Sequence, residues 1–165
     1  MTTARLITHL THGRFAVRKT FSPGTLQAIE TAIGEDEKRH CGQIRFAIES
    51  ALDWTELRAH MHARERALDV FSHLRVWDTQ ENNGVLIYVL LADRNVEIIA
   101  DRGIHTRVAS NAWEGICQQM EAHFRARRFE QGALEGVHLV GNLLAQHFPP
   151  YAHQPDELPN TPVVL

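Results

Sequence analysis

Asn82-Asn83-Gly84-Val85-Leu86-Ile87-Tyr88-Val89-Leu90-Leu91-Ala92-Asp93-Arg94-Asn95-Val96-Glu97-Ile98-Ile99-Ala100-Asp101 decides the fold. Val85 to Leu91 is apolar at every position, the pattern of a strand buried on both faces in the middle of a sheet. Asp93-Arg94-Asn95 is turn chemistry, and a second β-branched run, Val96 to Ala100, follows at once, so the stretch reads as a hairpin. Polar groups crowd its open end, where Asn82 and Asn83 enter the first strand and Asp101 leaves the second. That end is where a site is expected.

Upstream, Gln43 to Ser50 alternates, with Ile44, Phe46 and Ile48 on one face and Arg45, Ala47 and Glu49 on the other, as in a less fully buried strand. Thr55 caps an expected helix running to about His73, lined by Leu57, Met61, Leu68 and Phe71. Strand, helix and strand make a βαβ crossover, so the first two strands should be parallel. Ser22-Pro23 reads as a helix start, followed by Leu26, Ile29 and Ile33 at helical spacing and stopped by Gly42. After the hairpin, a helix is expected from near Thr106 to about Arg125, with Trp113 on its core stripe. A last helix is expected from about Glu130 to His147, in which Gly132, Gly136 and Gly141 permit close contact. Pro149-Pro150 stops it. The result is a mixed sheet covered on both sides by helices, an α/β fold. Residues 1–21 form an N-terminal arm, with a short helix over Thr2 to Thr11 and a preference for folding back on the domain. Residues 22–149 form the domain, and residues 150–165 a Pro-rich tail, extended or disordered.

Composition sets the outer limits. The 165 residues suffice for one domain with a substantial core, and 44% hydrophobic with 22% charged residues is ordinary for a soluble globular protein. A net charge of -3 gives no global pull toward nucleic acid or an anionic membrane. No apolar run approaches the roughly 20 residues of a membrane span, and Thr8, His9, Thr11, His12 and Arg14 interrupt any apolar signal-peptide core. Cys41 and Cys117 lack Cys-x-x-Cys spacing and read as two reduced thiols. The expected setting is cytoplasmic. The eleven histidines form no metal-ligand pattern with acidic neighbours, and the basic run around Arg125, Arg127 and Arg128 reads as a solvated helix end.

Several stretches together resemble the TPM domain family: Gln43 to Phe46, Ala67 to Phe71, Trp77-Asp78-Thr79, Asn83 to Tyr88, Asp93-Arg94 and Glu97 to Ile104, then Trp113, Gly132 and His147-Phe148-Pro149. The likeness covers about residues 22–149 in order and points to the short, cytosolic bacterial branch. The resemblance implies a three-layer α/β/α sandwich with a small mixed β-sheet and a Rossmann-like look. It also implies calcium binding, associated with some members, and a phosphatase activity for which the domain has been named. Where the family often has Gly-Glu before the first strand, this chain has Gly42-Gln43, which removes a carboxylate near the expected site.

With the first two strands parallel and the third running back, Asp101, Asn82, Asn83, Asp78 and the end of the first helix (Glu37, His40) can converge. Hard oxygen ligands of this kind suit calcium. The expected ligands are Asp101 as anchor, Asn83 as neutral ligand, Asp78 from a loop, and Glu37 as a weaker member. The alternative is that Asp78 and Asn83 only cap turns, while Asp101 caps or pairs with Arg102. For phosphatase chemistry there is no Cys-x5-Arg loop, no Gly-x4-Gly-Lys-Ser/Thr and no Asp-x-Asp pair, and His105 lacks an identifiable orienting partner. Two functions follow from different classes: a non-catalytic calcium-binding or protein-interaction module, and a metal-assisted phosphatase. No substrate or protein partner is named by the sequence.

Overall fold

The computed structural model describes residues 5, 6, 8, 9, 15–152 and 154–165. In chain order the elements are α1 (Phe15–Thr20), α2 (Pro23–Asp36), β1 (Gln43–Glu49), α3 (Trp54–Arg58), α4 (Ala63–His73), β2 (Gly84–Leu90), β3 (Asn95–Ala100), α5 (Arg102–His105), α6 (Ser110–Arg125), α7 (Phe129–His147) and β4 (Val163–Val164). The sheet order is β3-β2-β1-β4. β1 runs parallel to β2 and to β4, and β3 antiparallel to β2. The all-apolar run Val85 to Leu90 is therefore interior, with every β2 residue buried. Strand periodicity divides its side chains between two cores. Val85, Ile87 and Val89 join Ile29, Ile33, Trp113, Ile116, Phe124, Val137 and Leu144 under α2, α6 and α7. Leu86, Tyr88 and Leu90 join Leu57, Ala67, Val70 and Phe71 under α3 and α4. Helices thus cover both faces, and the architecture is an α/β/α sandwich.

The small residues of α7 set its packing distance. A Cβ on Gly136 would stand 2.3 Å from Met120 Sδ, and one on Gly141 would stand 2.8 Å from Asp36 Cγ, so α7 lies close against both α6 and α2. Trp113 is 6% exposed, on the core stripe of α6.

Three local expectations differ from the structure. The single helix expected to His73 is two helices. Asp53, not Thr55, caps α3, in a reciprocal pair with Glu56 (Glu56 N to Asp53 Oδ1 2.8 Å, Asp53 N to Glu56 Oε2 2.7 Å). The chain then turns through His60 at φ 58°, and this shift of phase leaves Leu68 47% exposed. The helix expected from Thr106 begins at Ser110, because Asp101 heads a separate single turn, α5. The tail is extended and ordered: Val163 and Val164 pair with Ala47 and Ile48, Leu165 N donates to Ile48 O (2.9 Å), and Leu158 is buried. Of the arm, Arg5 and His9 fold back onto Asp93. The other residues of the helix expected over Thr2 to Thr11, save Leu6 and Thr8, lie outside the described residues.

Candidate functional site

The end of the sheet where β2 begins and β3 finishes is built by the α4–β2 loop. Arg75 (φ 52°) and Asn82 (φ 53°) take left-handed conformations that fold this loop back on itself. Gly84 lies so close to it that a Cβ would stand 2.0 Å from Val76 O. Asn83 then ties three segments together. Its N–H donates to Thr79 Oγ1 (3.0 Å), its carbonyl accepts from Gln43 N (3.1 Å), and its Nδ2 donates to Cys41 O (2.7 Å). The side chain is buried, and its Oδ1 has no hydrogen-bond partner among the described residues.

Asp101 continues the β3 ladder by one bond, N to Gly84 O (2.9 Å), so it lies one strand over from Asn83. Its Oδ1 accepts the Arg102 N–H (2.7 Å), and its carbonyl accepts from Ile104 and His105 at the start of α5. Oδ2 is buried without a hydrogen-bond partner among the described residues. Arg102 does not neutralise it, because the guanidinium Nε turns to Asn82 Oδ1 (3.0 Å). Asp101 is therefore a cap, as one reading of the sequence had it, with one carboxylate oxygen left over.

The other two expected ligands lie apart. Asp78 is exposed on the α4–β2 loop, where its N–H closes a turn onto Arg75 O (2.9 Å). Glu37 caps the end of α2 beside β1, with its carboxylate accepting Ile44 N–H (3.1 Å). Asp101 on β3 and Glu37 beside β1 are thus about two strand spacings apart, roughly 10 Å. Among the described residues, no three of His, Cys, Asp or Glu are grouped to hold a metal ion. Burial pushes the Glu37 carboxyl up to about 7, and the Asp156 and Asp36 carboxylates act in the same direction against the opposing hydrogen bonds of Ile44 and Asn160. Glu37 lines a cavity of about 200 Å³ with Gln43, Gln154, Asp156 and Asn160.

The sequence reading missed how many polar side chains serve the tail and the arm. Gln43 Oε1 accepts from Glu157 N (2.8 Å) and Leu158 N (3.0 Å). Arg45 is buried and donates to the carbonyls of Pro159 and Thr161. At the opposite end of the sheet, where open α/β sheets commonly bind ligands, the space is filled from within. Leu52 N donates to His9 Nδ1 (3.0 Å), which leaves the hydrogen on Nε2 to reach Asp93 Oδ1 (2.9 Å). Tyr88 OH donates to Glu49 Oε2 (2.5 Å), and Arg66 pairs with the same carboxylate through two nitrogens (2.9 and 2.8 Å). The only available signal was a polar residue at a buried strand position, Arg45 or Glu49, and that signal does not name the partner. Burial pushes both thiols up, Cys117 to about 12, so neither is a ready thiolate nucleophile near neutral pH.

The class is that of small α/β/α sandwiches with a hairpin beside a parallel pair and polar loops gathered at one end. Residues 17–143 match the TPM domain model, and the chain belongs to the TPM domain family. The solution structure of the BA42 protein from the psychrophilic bacterium Bizionia argentinensis is similar at 33% identity and a TM-score of 0.77, covering 87% of this chain and 94% of that one. The N-terminal domain of a protein from P. gingivalis, at 18% identity and a TM-score of 0.62 over 79% and 82% of the two chains, shares the fold. Among curated proteins none matches.

Proposed function

We propose that this chain is a non-catalytic, calcium-binding module of the TPM type, working in the cytoplasm and presenting its surface to a protein partner rather than to nucleic acid. The observation that carries the reading is the Asp101 carboxylate, which is buried, accepts one backbone N–H, and has an Oδ2 without a partner among the described residues. A buried carboxylate calls for a cation or further donors, and the neighbouring strand offers a second free oxygen, Asn83 Oδ1. Both are hard oxygens, which suits calcium, and water would complete its six to eight ligands. Asp78, apart from Asp101 in the structure, would join only by a movement of the exposed α4–β2 loop. Glu37, about two strand spacings from Asp101 and already bonded to Ile44, would not touch the ion directly. The two cysteines are unpaired and no described helix is long and apolar enough to cross a membrane, which accords with a cytoplasmic setting.

The test is calorimetric titration of the metal-stripped chain with calcium and magnesium, combined with melting curves. Calcium at ten times its dissociation constant should add about 1.4 kcal/mol, a rise of roughly 3–6 °C for a chain of this size. Asp101→Asn keeps the acceptor for Arg102 N–H, so the chain should fold, but it should lose most of that rise. A melting temperature indifferent to millimolar calcium defeats the metal reading. Metal-dependent phosphate release that disappears in Asp101→Asn would favour the alternative, a metal-assisted phosphatase.

A further inference from the structure

Among the described residues β3 is an edge strand, paired with β2 on one side only. Asp101 N bonds to Gly84 O, so alternation turns the main-chain groups of Val96, Ile98 and Ala100 outward. Side chains meet the Val96 N–H and both main-chain groups of Ile98. Val96 N–H donates to Glu121 Oε1 (3.1 Å), Ile98 O accepts from Arg64 Nη1 (2.8 Å), and Ile98 N–H faces the Cys117 sulfur. Arg64 comes from α4 and Glu121 and Cys117 from α6, so both helix layers overhang the edge. Between β3 and α6 lies a groove of about 630 Å³.

Two features of this groove point to a ligand. Trp113 and Asn95 line it, and each has a buried polar atom without a partner among the described residues, the indole Nε1–H and the amide Oδ1. Trp113 is more than nine-tenths buried, so its N–H is a donor that water does not freely serve. The groove is also acidic. Glu97, Glu114 and Glu121 line it against Arg64 and, when protonated, His105. Arg64 is engaged with Glu97 (3.4 Å) and Arg125 with Glu121 (3.1 Å), which leaves Glu114 exposed and without an ion pair among the described residues.

We propose that the β3 edge is a docking site for an extended, basic segment of a partner protein, which adds as a fifth strand in the groove between β3 and α6. Strand addition uses the outward main-chain groups for affinity and alternate side chains for selectivity. Glu121, Arg64 and Cys117 hold those groups in the free chain and give way to the incoming backbone. The Trp113 N–H meets one of its carbonyls, and Lys or Arg side chains meet Glu97, Glu114 and Glu121. A second copy of this chain is the poorer occupant, because an edge-to-edge pair would bring the glutamates of one copy against those of the other. The proposal does not use Asp101 or calcium, so it stands or falls separately from the metal reading.

The experiment titrates the isotopically labelled full chain with a blocked alternating Lys–Val heptapeptide and, separately, with its Glu–Val counterpart, followed by amide NMR and hydrogen exchange. The expected result is binding of the Lys–Val peptide, with shifts and slowed exchange at Val96, Ile98 and Ala100 and a shift of the Trp113 indole proton. Glu114→Lys, at an exposed position that should leave the fold intact, should weaken it roughly fivefold or more. The proposal is overturned by shifts that map elsewhere or are absent, by equal binding of the Glu–Val peptide, or by a concentration-dependent dimer formed through the same amides.

Discussion

Replacing Glu37 with glutamine should stabilise this protein at alkaline pH and leave it nearly unchanged at pH 4. The carboxyl is buried at the end of α2, and burial pushes it from 4.5 up to about 7. Between those two values the folded chain holds a proton that the unfolded chain has released, so stability falls as pH rises through the window. Each pH unit of the gap corresponds to about 1.4 kcal/mol, so the ionised side chain costs the fold about 3 kcal/mol above pH 7. Glutamine keeps an oxygen for Ile44 N–H, and if the Asn160 amide, which donates to Glu37 in the native chain, turns over, its Oδ1, buried without a partner among the described residues, receives the new N–H group. The assay is urea denaturation of both chains in calcium-free buffer at intervals from pH 4 to pH 8.5. The difference between the two chains should open from near zero to about 3 kcal/mol in favour of Glu37→Gln, equivalent to roughly 6–12 °C in melting temperature. A difference that stays flat across the window, or a variant less stable at pH 8, would refute the reasoning. The Glu37 carboxylate would then be ionised in the fold with a compensating partner.

Trp113→Ala should cost roughly 3–5 kcal/mol, since it empties a large site in the core between the sheet and α6; an unchanged melting curve would place the indole outside the core. Gly84→Ala should cost about 3 kcal/mol, because a Cβ meets the Val76 carbonyl and the α4–β2 loop must move. Chemical denaturation checks it, and a cost under 1 kcal/mol would mean the loop yields freely.

The parts of the fold with a local period were legible in the sequence. Val85 to Leu91 carried its two-sided burial in its composition, Ile44, Phe46 and Ile48 marked one face by alternation, and Gly136 and Gly141 announced close helix contact. The break at His60 was not legible, because a left-handed histidine has no marker of the kind a glycine or proline would give. The ordered tail was hidden for a different reason. It is held by Gln43 and Arg45, through bonds that span more than 110 positions and use the backbone of the tail, to which the tail's own side chains give no clue. The candidate site was half legible. Turn and strand chemistry put Asp101 and Asn83 on adjacent strands, but which carboxylate oxygen stays free depends on where Arg102 points. That is a tertiary fact.

Gln43 links these threads. Measured against the family pattern, its amide stands where a carboxylate often occurs, and in the sequence that read as a ligand lost. In the structure the amide is 2% exposed, accepts two tail N–H groups and donates to Pro155 O (3.4 Å), while lining the same cavity as Glu37 and Asp156. Gln43→Glu would keep both acceptor bonds but turn the third contact into two facing oxygens. It would also put a third carboxylate, beside Glu37 and Asp156, in the cavity that already resists ionising Glu37. The expected cost is about 2 kcal/mol at pH 8, in the range for a buried polar group left wrongly paired, and it should shrink toward pH 5 as the cavity takes up protons. Calcium should recover part of it, because the variant gathers three carboxylates where the native chain has two. Calcium rescue in Gln43→Glu that survives a second change, Asp101→Asn, would locate that new binding in the tail cavity and keep it distinct from the strand-end site. Rescue abolished by Asp101→Asn would instead mean that Gln43 and Asp101 face one common ion, and the separation of about two strand spacings between Glu37 and Asp101 would not be the relevant distance.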